Sequence, residues 1–224
     1  MKKFLLLAAL ACGLVACGPQ QKLVYDYDAI QPVSKTMPYS VTVQINDTRD
    51  NADMFSKFPL DADHEVVYED TRRCVNAENE YADTIGTKFN QLLSDHLRMA
   101  RAFKDVSINP EDGEYTLKGN LRTLFGYQDY SYGSAVAASF GLFGALANSD
   151  NKTPGVITIE IVDLKFMKGG EVVKDLGSFK KVYKDEYAID AYCWFIYAHV
   201  NEAVKKFNGE LVDYIREQLE GETF

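Results

Sequence analysis

The chain has 224 residues, 46% of them hydrophobic, with 24 Lys and Arg against 33 Asp and Glu and a formal net charge of −9. That length suffices for one well-buried core and is short for two. The acidic balance argues against nucleic acid and against electrostatic docking on anionic lipid, and no stretch joins basic with aromatic residues to offset it.

The N-terminus reads as an address. Lys2 and Lys3 form a positive start, and residues 4–11 are an apolar run too short to span a bilayer. Leu14-Val15-Ala16-Cys17-Gly18 follows. It resembles the bacterial lipobox, in which the leader is cut before the cysteine, and the thiol and new amine are acylated. Cys12 is the weaker candidate because residues 9–11 make a poorer box. Cleavage after residue 16 leaves 208 residues and a net charge of −11, since both early lysines go. Several acyl chains on one cysteine make an essentially permanent anchor, at ~0.8 kcal/mol per buried methylene. Residues 17–39 then read as a lipidated cysteine and tether, with Tyr25, Tyr27, Pro32 and Pro38 but no period. About 20 flexible residues span roughly 25 Å, less where the tyrosines pack on the domain.

Residues 40–47 (SVTVQIND) alternate, with Val41, Val43 and Ile45 on one face of a half-buried strand. Residues 54–80 are irregular and acidic, with a short strand expected at Val66-Val67-Tyr68. Residues 81–103 carry Ile85, Phe89, Leu92, Leu93, His96, Ala100 and Phe103 at helical spacing. A turn at Asn109-Pro110-Glu111-Asp112-Gly113 leads to a strand over 114–125, with Tyr115, Leu117, Leu121 and Phe125 expected on one face. In the strand over 156–166 the inward parity shifts between Ile161 and Val162, which signals a bulge or two-sided burial. Lys168-Gly169-Gly170-Glu171 is a hairpin turn into a strand over 172–183. Residues 191–219 form a long amphipathic helix, irregular near Gly209. The expected fold is therefore α+β: a mixed sheet of four or five strands with both amphipathic helices on one face, forming a single domain over residues 40–224.

Two cysteines remain, Cys74 and Cys193. In an oxidising compartment they either bridge, closing a loop of more than a hundred residues, or stay buried thiols. Between residues 126 and 153 lies an insert whose stretch over 133–148 is uncharged and Gly- and Ala-rich, with Tyr132, Val136, Phe140, Leu142, Phe143 and Leu146 as candidate contact side chains. Three readings stay open: a loop or short helix buried on the domain, a surface for a partner or for self-association, or a segment dipping into lipid. No Ser/His/Asp or Cys/His arrangement stands out. Asp61, Asp63, His64 and Glu65 fit neither an EF-hand loop nor a zinc site, and no phosphate loop is present. His96 and His199 read as packing residues. No catalytic residue, metal or cofactor is expected.

The lipobox, the tether, the strand that ends in a polar turn (Val41 to Arg49) and the helix Ile85-Gly86-x-x-Phe89-x-x-Leu92-Leu93-x-x-x-Leu97 form a layout. With Ala102-Phe103-Lys104-Asp105-Val106 and the strand beginning Tyr115-Thr116-Leu117, it resembles the ABC-type transport auxiliary (PqiC-like) lipoproteins and the related YajG-like and LpoB-like groups. The resemblance implies a non-catalytic, membrane-anchored adaptor or assembly component of an envelope complex, lipid transport among the options. It also implies an outer-membrane location facing the periplasm, a protein partner or self-association, and no nucleic acid. The alternative is a chaperone-like lipoprotein that shelters a lipid or small apolar ligand. A hydrolase with an unrecognised site ranks last.

Overall fold

A computed structural model describes residues 20–49, 73–76, 80–109, 112–129, 152–188, 193–222 and 224. The leader, Cys17, the strand expected at 66–68 and the insert side chains lie outside the described residues. Six strands and two helices follow in chain order: β1 (Met37–Asp47), β2 (Arg73–Val75), α1 (Ile85–Met99), β3 (Phe103–Ser107), β4 (Tyr115–Asp129), β5 (Lys152–Lys168), β6 (Glu171–Ala188) and α2 (Phe195–Leu219). The strands form one mixed sheet in the order β3-β1-β4-β5-β6, with β2 paired to β4. The α+β class is as expected, but the sheet has six strands rather than four or five. The extra members are β2 and β3, three and five residues long. Segments that short carry no readable alternation.

β1 runs parallel to both its neighbours, with Val41 opposite Val106 on β3 and Val43 opposite Leu117 on β4. β4, β5 and β6 form an antiparallel meander. Gly169 and Gly170 both take positive φ, 56° and 89°, between the paired Lys168 and Glu171, as a two-residue hairpin turn requires. β5 contains the expected parity switch. Ile157, Ile159 and Ile161 point inward, then Leu164 and Phe166 do, across a bulge in which Asp163 has φ 52°. β4 also shifts register, between Leu121 and Thr123. The shift moves Leu124 into the core and turns Phe125 to the opposite face, correcting the expectation that Phe125 continues the Leu121 stripe.

Two asparagine side chains complete the ladder where strands fall short. On β1, past the end of β3, the Asn90 amide accepts from Ile45 N–H at 2.9 Å and donates to the Val43 carbonyl at 3.4 Å. On β4, between β1 and β2, the Asn76 side chain accepts from Gly126 N–H at 2.7 Å and donates to the Leu124 carbonyl. Buried backbone groups that would otherwise go unpaired are thus satisfied.

Both helices cover the same face of the sheet. Phe89 of α1 meets Phe207 of α2 with ring centroids 6.1 Å apart, over a core drawn from β1, β4, β5 and β6. α2 lies so close to β4 that a Cβ on Gly126 would come within 2.8 Å of Val200. α1 is shorter than its periodicity suggests. Arg101 turns left-handed at φ 52°, and the N–H groups of Arg101 and Ala102 return to the carbonyls of Arg98 and Leu97, so the helix stops without a glycine. α2 continues unbroken through Gly209, which faces His96, so the expected irregularity is absent.

Candidate functional site

The described N-terminal segment has no regular secondary structure before β1, yet it is held to the domain by hydrogen bonds and buried side chains. Gln21 bridges Tyr81, donating to the Glu80 carbonyl and accepting from Ala82 N–H, both at 2.8 Å. The Asn201 amide on α2 grips the next residues by accepting from Val24 N–H and donating to the Lys22 carbonyl. Leu23 and Tyr25 are buried members of the core, only 4% and 6% exposed. Tyr27 reaches Asp95, and Val33 N–H donates to the Ala100 carbonyl. The residues expected as tether therefore lie as a strap along the helix pair from Gln21 to the start of β1. The tyrosines do pack on the domain, and the segment between them follows with no period of its own to show it.

The strap is locked by a buried polar group. The Tyr25 hydroxyl lies 3.1 Å from His96 Nδ1 and 3.2 Å from the Leu92 carbonyl, and accepts from Asn208 Nδ2 at 2.8 Å. One residue each from strap, α1 and α2 thus meet inside the protein. Burial, aided by Lys205, pushes His96 down to about 4. Burial raises the Tyr25 phenol, opposed in part by its Asn208 bond, and burial with Asp95 pushes Tyr27 up to about 12. His96 is thus a packing histidine, as expected, and it makes stability depend on pH. Its folded value lies below the ordinary 6.5, so the unfolded chain binds the extra proton between about 6.5 and 4. The fold loses stability as pH falls through that window, on the order of 2–3 kcal/mol from this group. Chemical denaturation from pH 7 to 4 should show the slope, and His96→Gln should remove this component.

Cys74 and Cys193 are bridged, with Cα atoms 5.1 Å apart across 119 positions of sequence. The bond ties β2 to Cys193, two residues before α2. Several features converge at this end of the molecule. Tyr81, beside Gln21, packs edge-on against Tyr197 at 5.1 Å, and Tyr187 stacks near His199 at 4.5 Å. The paired ends of β4 and β5 lie here too, with Gln128 opposite Gly155. The apolar insert leaves from and returns to this pair. Its candidate side chains, Tyr132, Val136, Phe140, Leu142, Phe143 and Leu146, lie outside the described residues, as do Asp61, Asp63, His64 and Glu65. Trp194 and Phe195 stand at this end with 46% and 41% of their surface exposed.

Asp47 is joined to Arg49 at 2.6 Å and accepts from Gly86 N–H at the start of α1. Burial alone would raise its carboxyl, but the Arg49 bonds and the helix N–H outweigh this and hold it below the usual range. A surface cleft of about 610 Å³ is lined by Met37, Arg98, Arg101, Phe103 and Lys104, and one of about 430 Å³ by Tyr39, Asp213, Arg216 and Leu219. Both mix charged with apolar groups, and neither is an apolar chamber between helices and sheet. Among the described residues no three His, Cys, Asp or Glu side chains gather as a metal site. Among the same residues, no helix is long and apolar enough to cross a membrane.

The chain matches no protein-family model and no curated protein. Among solved structures it is similar to a DUF330-family protein from Xanthomonas campestris, at 11% identity over 91% of this chain and 98% of that one, with a TM-score of 0.51. A PelC dodecamer from Paraburkholderia phytofirmans aligns over 81% of this chain and 92% of that one, at 12% identity and a TM-score of 0.31. The first likeness is one of fold; the second is too slight to bear on it.

Proposed function

We propose that this chain is an envelope lipoprotein that works by binding rather than by chemistry. Cys17, freed by removal of residues 1–16, carries the acyl chains, and the domain sits on the periplasmic side of the outer membrane as an adaptor or assembly component. The observation that carries this reading is the docked strap. A segment following a lipobox-like motif is built into the core through Leu23 and Tyr25, so the anchor and the folded domain form one unit. The fold likeness to the DUF330 protein fits the transport-auxiliary resemblance drawn from helix and strand spacing. The open, partly charged clefts give no support to the sheltering of an acyl chain.

Binding is assigned to the insert. β4 and β5 are antiparallel partners up to Gln128 and Gly155, so the insert is the loop of a hairpin and its roots already lie side by side. Deleting residues 134–147 should leave thermal unfolding nearly unchanged, because the shortened loop still closes, while co-purification with envelope proteins is lost. A deletion variant that unfolds would make the insert core and defeat this assignment. Intact-mass analysis of protein from its native envelope tests the anchor: an unmodified Cys17, or a retained leader, would end the lipoprotein reading.

A further inference from the structure

Chain length sets where the membrane must be. Four peptide steps separate Cys17 from Gln21, the first residue held by the fold. Fully extended they reach roughly 14 Å, at about 3.3–3.6 Å per residue. A headgroup layer is itself roughly 5–8 Å thick on each side of the hydrocarbon. An acylated Cys17 therefore holds Gln21 within roughly 6–9 Å of the outer edge of the headgroups even with the linker fully extended, and inside that layer once the linker is not extended. That end carries two large exposed aromatic side chains, Trp194 just before α2 and Phe195 at its first position. Gln21 is linked to them through Tyr81 and Tyr197, whose N–H donates to the Trp194 carbonyl. An indole with an apolar face and one N–H donor suits the boundary between headgroups and acyl chains.

We propose that the end of the domain formed by Gln21, Trp194 and Phe195 lies in the headgroup layer of the membrane that holds Cys17. α2 then points away from the bilayer. Its 25 residues carry the Gly169-Gly170 turn and Phe224 roughly 35–40 Å from the surface. The inference rests on the anchor proposed above and adds an orientation to it.

Trp194 is the single tryptophan of the chain, so its emission reports on this end alone. The full acylated protein is reconstituted into phosphatidylethanolamine vesicles with a minority of phosphatidylglycerol. A parallel set includes phosphatidylcholine with a nitroxide near the headgroup. The expected result is a blue-shifted emission, strong loss of intensity to the shallow nitroxide, and weaker quenching by aqueous acrylamide than in detergent. Equal acrylamide quenching in vesicles and detergent, with no loss to the nitroxide, overturns the inference. Protection from both quenchers also overturns it and assigns Trp194 to a second copy or a protein partner. Mass analysis of the same sample separates the two readings. A bare Cys17 ends the anchor and the orientation together, whereas an acylated Cys17 with a water-exposed Trp194 ends the orientation alone.

Discussion

Cys74→Ala is expected to destabilise the domain by about 3–5 kcal/mol and to lower its melting temperature by roughly 10 °C. The bridge spans 119 positions, so cutting it frees a long loop in the unfolded chain, where the chain-entropy account places most of a disulfide's effect. Alanine is the suitable replacement because Cys74 is 1% exposed, and serine would leave a hydroxyl to satisfy there. The native-state loss should centre on β2 and the first turn of α2. Cys193 sits at φ 63° beside that turn, and β2 pairs with only three residues of β4. Thermal unfolding of the wild type with reductant should reproduce the variant. Identical melting curves with and without reductant would show that packing alone holds this end together.

Phe207→Ala should cost about 3–5 kcal/mol in urea unfolding. Phe207 is fully buried and joins three layers of contact: Phe89 on α1 at 6.1 Å, Phe179 on β6 at 5.2 Å, and the apolar face of α2 around it. The helices reach each other over the sheet through this ring. Phe207→Leu keeps most of the apolar volume and should cost clearly less. The Phe89→Ala, Phe207→Ala double variant should lose less than the two single losses added, because both remove one shared contact. Strict additivity would mean that the helices pack independently on the sheet.

The strap and its polar lock bear on how such a domain can be held. A flexible tether of this length would let the domain wander over tens of ångströms. Leu23, Tyr25 and the Asn201 clamp remove that freedom, and the His96 network makes their hold dependent on pH. The chain segment nearest the proposed anchor is thus part of the core rather than a spacer before it.

The amino-acid sequence alone determined the elements with long periods. Alternation at Val41, Val43 and Ile45, the Ile85-Phe89-Leu93 stripe, the parity slip after Ile161 and the paired glycines at the hairpin are all written within a few residues of one another. Each corresponds to a feature of the fold. The α+β class follows, because amphipathic faces of those two kinds must cover each other. The tertiary structure decided what depends on residues far apart. β2 and β3 are too short to show a period and exist because β4 and β1 offer them edges. Leu124 rather than Phe125 enters the core because a register shift on β4 reversed the faces. Cys74 meets Cys193, Asn76 stands in for a missing strand, and Tyr25 finds His96 and Asn208. None of these has a local signature, because the energy lies in a partner that only the folded chain brings near. Periodicity reports which face of an element is apolar, whereas pairing of single side chains over such separations is selected by the packed geometry itself.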